Sequence, residues 1–206
     1  MQYDAVNRAL VTMREMMTDR GHLAWAKEME KMDMQEVKKI SIQKLIYYFD
    51  FDSRSEKNEV NDEAGQLRLL FGMQPKFKLS DVKKYIEEDY DLTIIILREK
   101  ISTTNMKSIE EMKKTGGDIQ VFQIKELQYN ITKHVLVPKH ELLGWDKEEE
   151  IEEIVKNFQL KNRTQLPSIL KTDPMARYLN AKPGNLVRIT RPSPTAGEYT
   201  FYRCCI

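Results

Sequence analysis

The stretch Leu92-Thr93-Ile94-Ile95-Ile96-Leu97 is an uninterrupted apolar run with β-branched residues at its centre. A run of this kind is typical of a strand that is covered on both faces, because a strand with one wet face alternates apolar and polar residues. Strands covered on both faces belong to sheets with helices on either side. We therefore expect an α/β layer architecture around this strand.

Helical and strand patterns alternate on both sides of this run. Toward the N-terminus, Ile42–Phe51 and Gln66–Phe71 are rich in β-branched and aromatic residues, and they predict two strands paired as a hairpin with a long loop. The apolar stretch Ile119–Phe122 predicts a further strand. The predicted helices are residues 3–20, a short helix with Trp25, Met29 and Met32, a helix that Ser80 caps, and a helix that carries Met106, Ile109 and Met112. The order favours a layered α/β domain with a mixed, partly parallel sheet.

The amino-acid composition of the chain changes after Tyr129, because prolines become frequent there. Asp146, with Glu149 three residues later, predicts the capped start of a helix. Two strands, Leu186–Thr190 and Glu198–Cys205, are expected at the C-terminus. We therefore predict two domains: an N-terminal α/β layered domain over residues 1–129 and a small C-terminal α+β domain over residues 130–206.

Composition narrows the class of protein. Of 206 residues, 33 are basic and 32 acidic, so the whole-molecule field gives no reason for strong attraction to nucleic acid or membrane. The cysteines are Cys204 and Cys205, adjacent in sequence, which suits a reducing compartment better than a disulfide framework. No run approaches the ~20 apolar residues that span a bilayer. We expect a soluble intracellular protein that makes no membrane contact.

Motifs for cofactor chemistry are missing from the sequence. It has no phosphate-cradling G-x-x-x-x-G-K loop and no dinucleotide fingerprint, so nucleotide binding has no support. His134 and His140 could be imagined with the two cysteines as a zinc tetrad, but adjacent cysteines and these spacings are poor for one tetrahedral ion. We predict no metal, no cofactor and no small-molecule substrate. A metal-dependent nuclease fold is a weak alternative, since Asp50 and Asp52 have no lysine partner in an E-x-K triplet.

Local charge leaves two candidate surfaces. Ser102, Thr103, Thr104, Asn105 and Lys107 follow the buried strand, and hydroxyls, an amide and a lysine at a helix N-terminus suit a sequence-independent phosphate contact. An ordinary capped loop is the alternative. From residue 163 to the end, the chain has seven basic residues and two acidic ones. This excess suits either scattered surface cations or a docking surface for an acidic partner.

Several short sequence blocks in the C-terminal part point to a particular protein family, which composition alone does not do. They are His134-Val-Leu-Val-Pro-Lys-His140, Gln165–Leu170, Asp173-Pro-Met-Ala-Arg-Tyr178, Val187-Arg-Ile-Thr-Arg-Pro-Ser193 and Thr195–Arg203. In this order and spacing they resemble the shared jaw subunit of eukaryotic-type DNA-directed RNA polymerases, the fifth-largest subunit, whose family also has archaeal members. Three departures are Asn180, where a glycine is common, Glu198, where a basic residue is common, and Thr103-Thr104-Asn105, which lacks the proline common in that loop.

The resemblance implies a non-catalytic subunit with an N-terminal jaw domain and a C-terminal assembly domain. It implies that the assembly domain docks on the largest subunit and that Ser102–Asn105 lies beside downstream duplex DNA. The partner-binding residues that it suggests are His134, Pro138, His140, Pro167, Asp173, Arg177, Tyr178, Arg188, Arg191, Ser193, Tyr202 and Arg203. The location would be the nucleus for a cellular subunit, and a virus factory, the cytoplasm or the virion for a viral one. A free-standing transcription adaptor and a degenerate nuclease fold are the alternatives.

Overall fold

The structure is a computed structural model that describes residues 2–52, 65–76, 78–86, 90–113, 117–144, 147–195 and 197–206. It divides into two compact units, Met1–Tyr129 (unit 1) and Asn130–Ile206 (unit 2). Within the described ranges, none of the helices has the length and apolar character that crossing a bilayer requires.

Unit 1 contains five helices and four strands among its described residues. They are α1 (Gln2–Asp19), α2 (Leu23–Glu30), α3 (Met34–Gln43), β1 (Ile46–Asp52), β2 (Gln66–Gly72), α4 (Leu79–Ile86), β3 (Leu92–Leu97), α5 (Thr103–Met112) and β4 (Asp118–Gln123). The strands form one sheet in the order β1-β2-β3-β4. β1 pairs antiparallel with β2, and β2, β3 and β4 are mutually parallel. The predicted hairpin and mixed sheet are confirmed.

The apolar run is the strand β3, whose six residues are all buried. Leu70 and Ile95 on one face of the sheet pack against Ile86 of α4 and Ile109 of α5. The N-terminal helices lie on the other face, where Arg20, just after α1, donates a hydrogen bond to Gln120 on β4 over 2.9 Å. Unit 1 is therefore a three-layer α/β/α arrangement, as the continuous apolar run predicts.

The approach to β4 requires a glycine. A Cβ atom on Gly117 would lie 1.7 Å from the backbone oxygen of Tyr90. Any other residue here would force β4 away from the start of β3, where Asp118 donates its backbone N–H to the Asp91 oxygen over 3.0 Å. Gly117 thus allows the first residues of β4 to lie close to the first residues of β3.

The predicted start of the first strand, at Ile42, is wrong. The strand begins only at Ile46, and Ile42 instead belongs to the last turn of α3, which ends at Gln43. Asp33 caps this helix by accepting a hydrogen bond from the backbone N–H of Gln35 over 2.8 Å. β-branched Ile40 and Ile42 resemble a strand in sequence, whereas Val37 is 1% exposed and gives the helix its tertiary anchor.

Two helix boundaries also differ from expectation. α4 begins at Leu79, so Ser80 lies within its first turn, where its hydroxyl contacts the Asp81 carboxylate. α2 ends at Glu30, before Met32. The predicted cap at Asp146 lies outside the described residues, and the described helix that follows it begins at Glu148.

Unit 2 is a small α+β unit. Its helices and strands are β5 (Lys139–Leu143), α6 (Glu148–Asn157), β6 (Ser168–Ile169), α7 (Pro174–Tyr178), β7 (Leu186–Ser193) and β8 (Gly197–Cys205). Its sheet has the order β5-β7-β8-β6, with β7 antiparallel to both β5 and β8 and β6 parallel to β8. The two terminal strands are confirmed, whereas the short strands β5 and β6 were not predicted.

α6 covers one face of this second sheet. Ile151 and Ile154 of α6 pack on Leu143, Leu186 and Cys204. The end of α7 shows why glycine suits position 180, because Asn180 has a φ of 56°. Asparagine tolerates this left-handed conformation better than most other residues do, so the departure from glycine preserves the turn.

Candidate docking and nucleic-acid surfaces

The predicted phosphate contact lies at the start of α5. Ser102 is the N-cap residue, and its hydroxyl accepts a hydrogen bond from the Asn105 backbone N–H over 3.3 Å. Thr103, Thr104 and Lys107 are exposed, and Asn105 is half-buried. The Ser102 hydroxyl therefore orders the first turn, while the two threonine side chains and the lysine face solvent.

The sheet topology places the start of α5 at the carboxyl edge of the sheet, which the sequence alone did not indicate. Because β2 and β3 are parallel, their carboxyl ends meet at one edge, and α4 and α5 both begin beyond that edge. Arg98 and Lys100 follow β3 directly and are exposed. Ile101 packs on the core below and fixes the loop. Open α/β sheets bind ligands outside the carboxyl ends of their strands, so the site has a suitable position for an anionic partner.

The predicted docking residues of unit 2 do not form one surface. Residues alternate between the two faces of a strand, so Arg188 and its cross-strand partner Tyr202 share the face that α6 covers. The Tyr202 ring meets the ring of Phe158 edge to face, with centroids 5.9 Å apart. Arg191, Ser193 and Arg203 lie on the opposite face.

Arg188 is bonded within unit 2. Its guanidinium pairs with Glu141 on β5 at 3.3 Å and with Glu150 on α6. Partial burial of Glu141 favours the protonated acid, but the hydrogen bond from Lys147 and the charge of Arg188 outweigh it and lower the pKa of Glu141. Arg163 pairs with Glu148 in the same way. The acidic first turn of α6 thus neutralises two of the seven C-terminal cations internally.

Arg191 and Arg203 have a different environment. The Arg191 guanidinium carbon lies 5.4 Å from the centre of the Tyr199 ring and 5.6 Å from that of Phe201. The Arg203 guanidinium carbon lies 6.0 Å from the same Phe201 ring, and its Nη1 donates to the Ser168 oxygen over 2.8 Å. The structure therefore brings these two predicted cations together on the aromatic side of β8.

The segment His134–Pro138 is a turn that leads into β5, and its first three residues are exposed. The imidazole Nδ1 of His134 accepts the backbone N–H of Leu136 over 3.2 Å, and the Nδ1 of His140 bonds the Pro138 oxygen over 2.7 Å. Between them, Val135 is 97% exposed and Leu136 is 84% exposed. The two histidines hold a turn that presents apolar side chains to solvent.

The remaining predicted residues are mainly structural. Asp173 caps α7 by accepting the backbone N–H of Met175 over 2.8 Å. Tyr178 is 4% exposed and belongs to the core, whereas Arg177 is half-buried on the same helix. Pro167 is exposed, and its oxygen accepts the backbone N–H of Cys204 over 2.9 Å.

Sequence reasoning missed Val135, Leu136, Tyr199 and Phe201 as surface residues. The apolar pair lay inside the His134 block, and the alternation of Tyr199, Phe201 and Arg203 along β8 was a readable signal for one face of a strand. Within the described ranges, no three His, Cys, Asp or Glu side chains converge as metal ligands would. Asp50, named for the nuclease alternative, is held by Arg68 at 2.6 Å.

Comparison with known proteins adds an independent finding. The sequence model of a family described as RNA polymerase Rpb5, C-terminal domain, matches residues 129–205. A Dictyostelium discoideum protein named DNA-directed RNA polymerases I, II, and III subunit rpabc1 is 34% identical over 151 residues, covering 71% of this chain and 75% of that protein. Proteins of Caenorhabditis briggsae and Caenorhabditis elegans named subunit RPABC1 of the same polymerases are each 33% identical over 150 residues, covering 71% of this chain and 69% of theirs.

Proposed function

The chain belongs to the RNA polymerase Rpb5 family, and from that premise we propose that it is a non-catalytic subunit of a DNA-directed RNA polymerase. In this proposal unit 2 is the assembly domain that docks on the largest subunit, and unit 1 is the jaw domain that contacts downstream duplex DNA. The observation that carries the proposal is the family match over residues 129–205, which spans nearly all of the compact unit 2.

Docking draws support from two features of the unit 2 surface. The Val135–Leu136 turn presents apolar side chains that gain free energy when a partner removes them from water, about 25 cal/mol for each Å² buried. Arg191 and Arg203 offer planar donors that suit carboxylates on a partner. Arg188 and Tyr202 contribute in this account by holding the sheet and α6 together, so they act on docking through the shape of unit 2.

DNA contact draws support from the carboxyl edge of the unit 1 sheet. The exposed side chains of Thr103, Thr104 and Lys107 stand at the N-terminus of α5, where the helix dipole favours a phosphate. Arg98 and Lys100 add positive charge just before the helix. Hydroxyls and cations bond phosphate oxygens without reading base edges, so the proposed contact is independent of DNA sequence.

The location of the chain follows from its assembly. A cellular subunit would act in the nucleus, and a virally encoded one in a virus factory, the cytoplasm or the virion. Fractionation of the source cells with antibodies against this chain and the largest subunit tests this, because the proposal requires both proteins in the same fraction.

Reconstitution tests the two roles separately. We expect polymerase that lacks this subunit to regain transcription when the purified chain is added. Arg191→Glu with Leu136→Asp should fail to enter the complex, whereas Thr104→Glu with Lys107→Glu should enter it but hold downstream DNA less tightly. A chain that restores transcription without binding the largest subunit would instead favour the transcription-adaptor alternative.

A further inference from the structure

We propose that the outer edge of β8, from Glu198 to Tyr202, accepts an extended acidic strand from a partner protein by β-sheet augmentation. The proposal rests on the proposed function in one respect, since it takes the partner strand to come from a polymerase subunit. It adds the mode of binding and the chemistry of the bound segment.

The backbone of β8 has no strand partner along this edge among the described residues. Cys204 donates its N–H outward to the Pro167 oxygen beside β6, whereas Cys205 donates to Asn185 on the β7 side over 2.8 Å. Because backbone groups alternate in direction along a strand, the N–H and C=O groups of Glu198, Thr200 and Tyr202 point outward like those of Cys204. β6 pairs only with Cys204 and Cys205, so no described strand meets this open stretch.

Most features that normally protect an exposed edge are missing from this stretch. Natural edges are blunted by charged side chains, above all lysine, and by proline, bulges or very short length. β8 pairs with β7 in unbroken register from Gly197 to Cys204, and the stretch contains neither lysine nor proline. Its one charged residue is Glu198, whose side chain lies on the opposite face from that of Arg203. The other edge of the same sheet differs, because β5 spans five residues, follows Pro138 and begins with Lys139. The β8 edge therefore remains able to template another strand.

Charge identifies the occupant. The guanidinium groups of Arg191 and Arg203 rest on the rings of Tyr199 and Phe201, on the face of β8 next to the open edge. Unlike Arg188, these two arginines have no carboxylate partner among the described residues. A strand added beside β8 places every second side chain on this face, where Asp or Glu residues would meet the guanidinium groups. A second copy of the chain would bring its own arginines there, which disfavours self-pairing.

A proline substitution tests the edge directly. The outward N–H of Thr200 makes no ladder bond with β7, so Thr200→Pro removes a donor for the added strand while sparing that pairing. Thr200→Val is the matched control, because it changes the side chain and keeps the N–H. The probe is a short blocked peptide of alternating valine and aspartate, titrated into the full chain. A peptide with lysine in place of aspartate controls for charge.

The proposal expects the acidic probe to bind the wild-type chain and Thr200→Val, and to bind Thr200→Pro at least tenfold more weakly. The backbone amides of Thr200 and Tyr202 should become protected from hydrogen exchange when the probe binds. The double variant Arg191→Gln, Arg203→Gln keeps the edge and should weaken the acidic probe alone, which serves as a second test if Thr200→Pro is unstable. Equal binding by all variants, or no exchange protection, would overturn the proposal.

Recovery of polymerase on tagged chains separates this proposal from the broader one. If equal amounts of polymerase are recovered with the wild-type chain and with Thr200→Pro, the edge proposal is overturned and the subunit assignment remains intact. Failure of even the wild-type chain to recover polymerase would overturn the subunit assignment, and the peptide titration would still decide the edge. Self-association that Thr200→Pro abolishes would show that a second copy occupies the edge, which contradicts the acidic partner strand.

Discussion

The guanidinium of Arg68 on β2 donates two hydrogen bonds to the carboxylate of Asp50 on β1, at 2.6 and 2.8 Å. The rings of Tyr48 and Tyr90 flank the guanidinium carbon at 4.3 and 4.1 Å. The Arg68 side chain is only 3% exposed, so the Asp50 carboxylate compensates a charge that is buried away from water. The strand acid named for the nuclease alternative therefore has a structural partner.

Asp50→Asn should destabilise unit 1. The substitution removes the negative charge that pairs with the buried Arg68 guanidinium, and we expect a loss of about 2–3 kcal/mol in the free energy of unfolding. Urea denaturation of the full chain, followed by circular dichroism, measures it. Asp52→Asn is the matched control, because Asp52 is exposed and its contact with Gln66 suits an amide as well as an acid, so we expect a change within about 0.5 kcal/mol. Equal effects would contradict the account.

Tyr47→Phe should leave the fold intact and increase its stability. The Tyr47 hydroxyl is buried and has no hydrogen-bond partner among the described atoms. Burial also raises the pKa of Tyr47 well above its ordinary value, so the group stays neutral and unsatisfied. Removing the oxygen keeps the ring stacked on Phe71 and should add about 1 kcal/mol to the free energy of unfolding. A loss of stability of that size would reveal a partner for the hydroxyl.

Charge reversal should affect Arg188 and Arg191 differently. Arg188→Glu places a third carboxylate beside Glu141 and Glu150, and we expect it to lower the unfolding free energy of unit 2 by about 1–2 kcal/mol. Arg191→Glu, at an exposed position, should change stability by less than about 0.5 kcal/mol. Thermal denaturation of both variants checks this. Arg191→Glu is therefore the cleaner variant for a docking assay, and the account fails if it is the more damaging one.

Lys107→Gln should lower the affinity of the assembled polymerase for downstream DNA by the same factor whatever the DNA sequence. Loss of one phosphate contact should reduce the slope of log affinity against log salt by about one. The measurement is a salt titration of assembled polymerase on duplexes of different downstream sequence. Glu110→Gln, on an exposed part of α5 away from its N-terminus, is the control. An effect confined to one DNA sequence would contradict a backbone contact.

The sequence predicted the parts of the fold that rest on strong local periodicity. The run Leu92–Leu97 implied a doubly covered strand, and helical spacing from Tyr3 to Met17 implied α1. α3 was missed because Ile40 and Ile42 carry β-branched side chains, while its burial depends on packing through Val37. β6 was missed because two residues are too short for a period, and its existence depends on pairing with β8.

The candidate site shows the same limit. The residue types of the phosphate contact and of the docking blocks were readable in sequence, but their grouping was not. Nothing local indicates that Arg188 pairs with Glu150 of α6 while Arg191 lies over Tyr199, since both facts depend on sheet register and on which face α6 covers. The exposure of Val135 and Leu136 likewise needed the turn that His134 stabilises.

Affinity purification from native cells tests the central claim most directly. The tagged chain is recovered, washed at high salt, and its bound proteins are identified by mass spectrometry. The account predicts that the two largest polymerase subunits remain bound to the wild-type chain and to the control Glu110→Gln. It also predicts that Arg191→Glu combined with Leu136→Asp loses them. Recovery of a folded wild-type chain alone would contradict the assignment of this chain as a polymerase subunit.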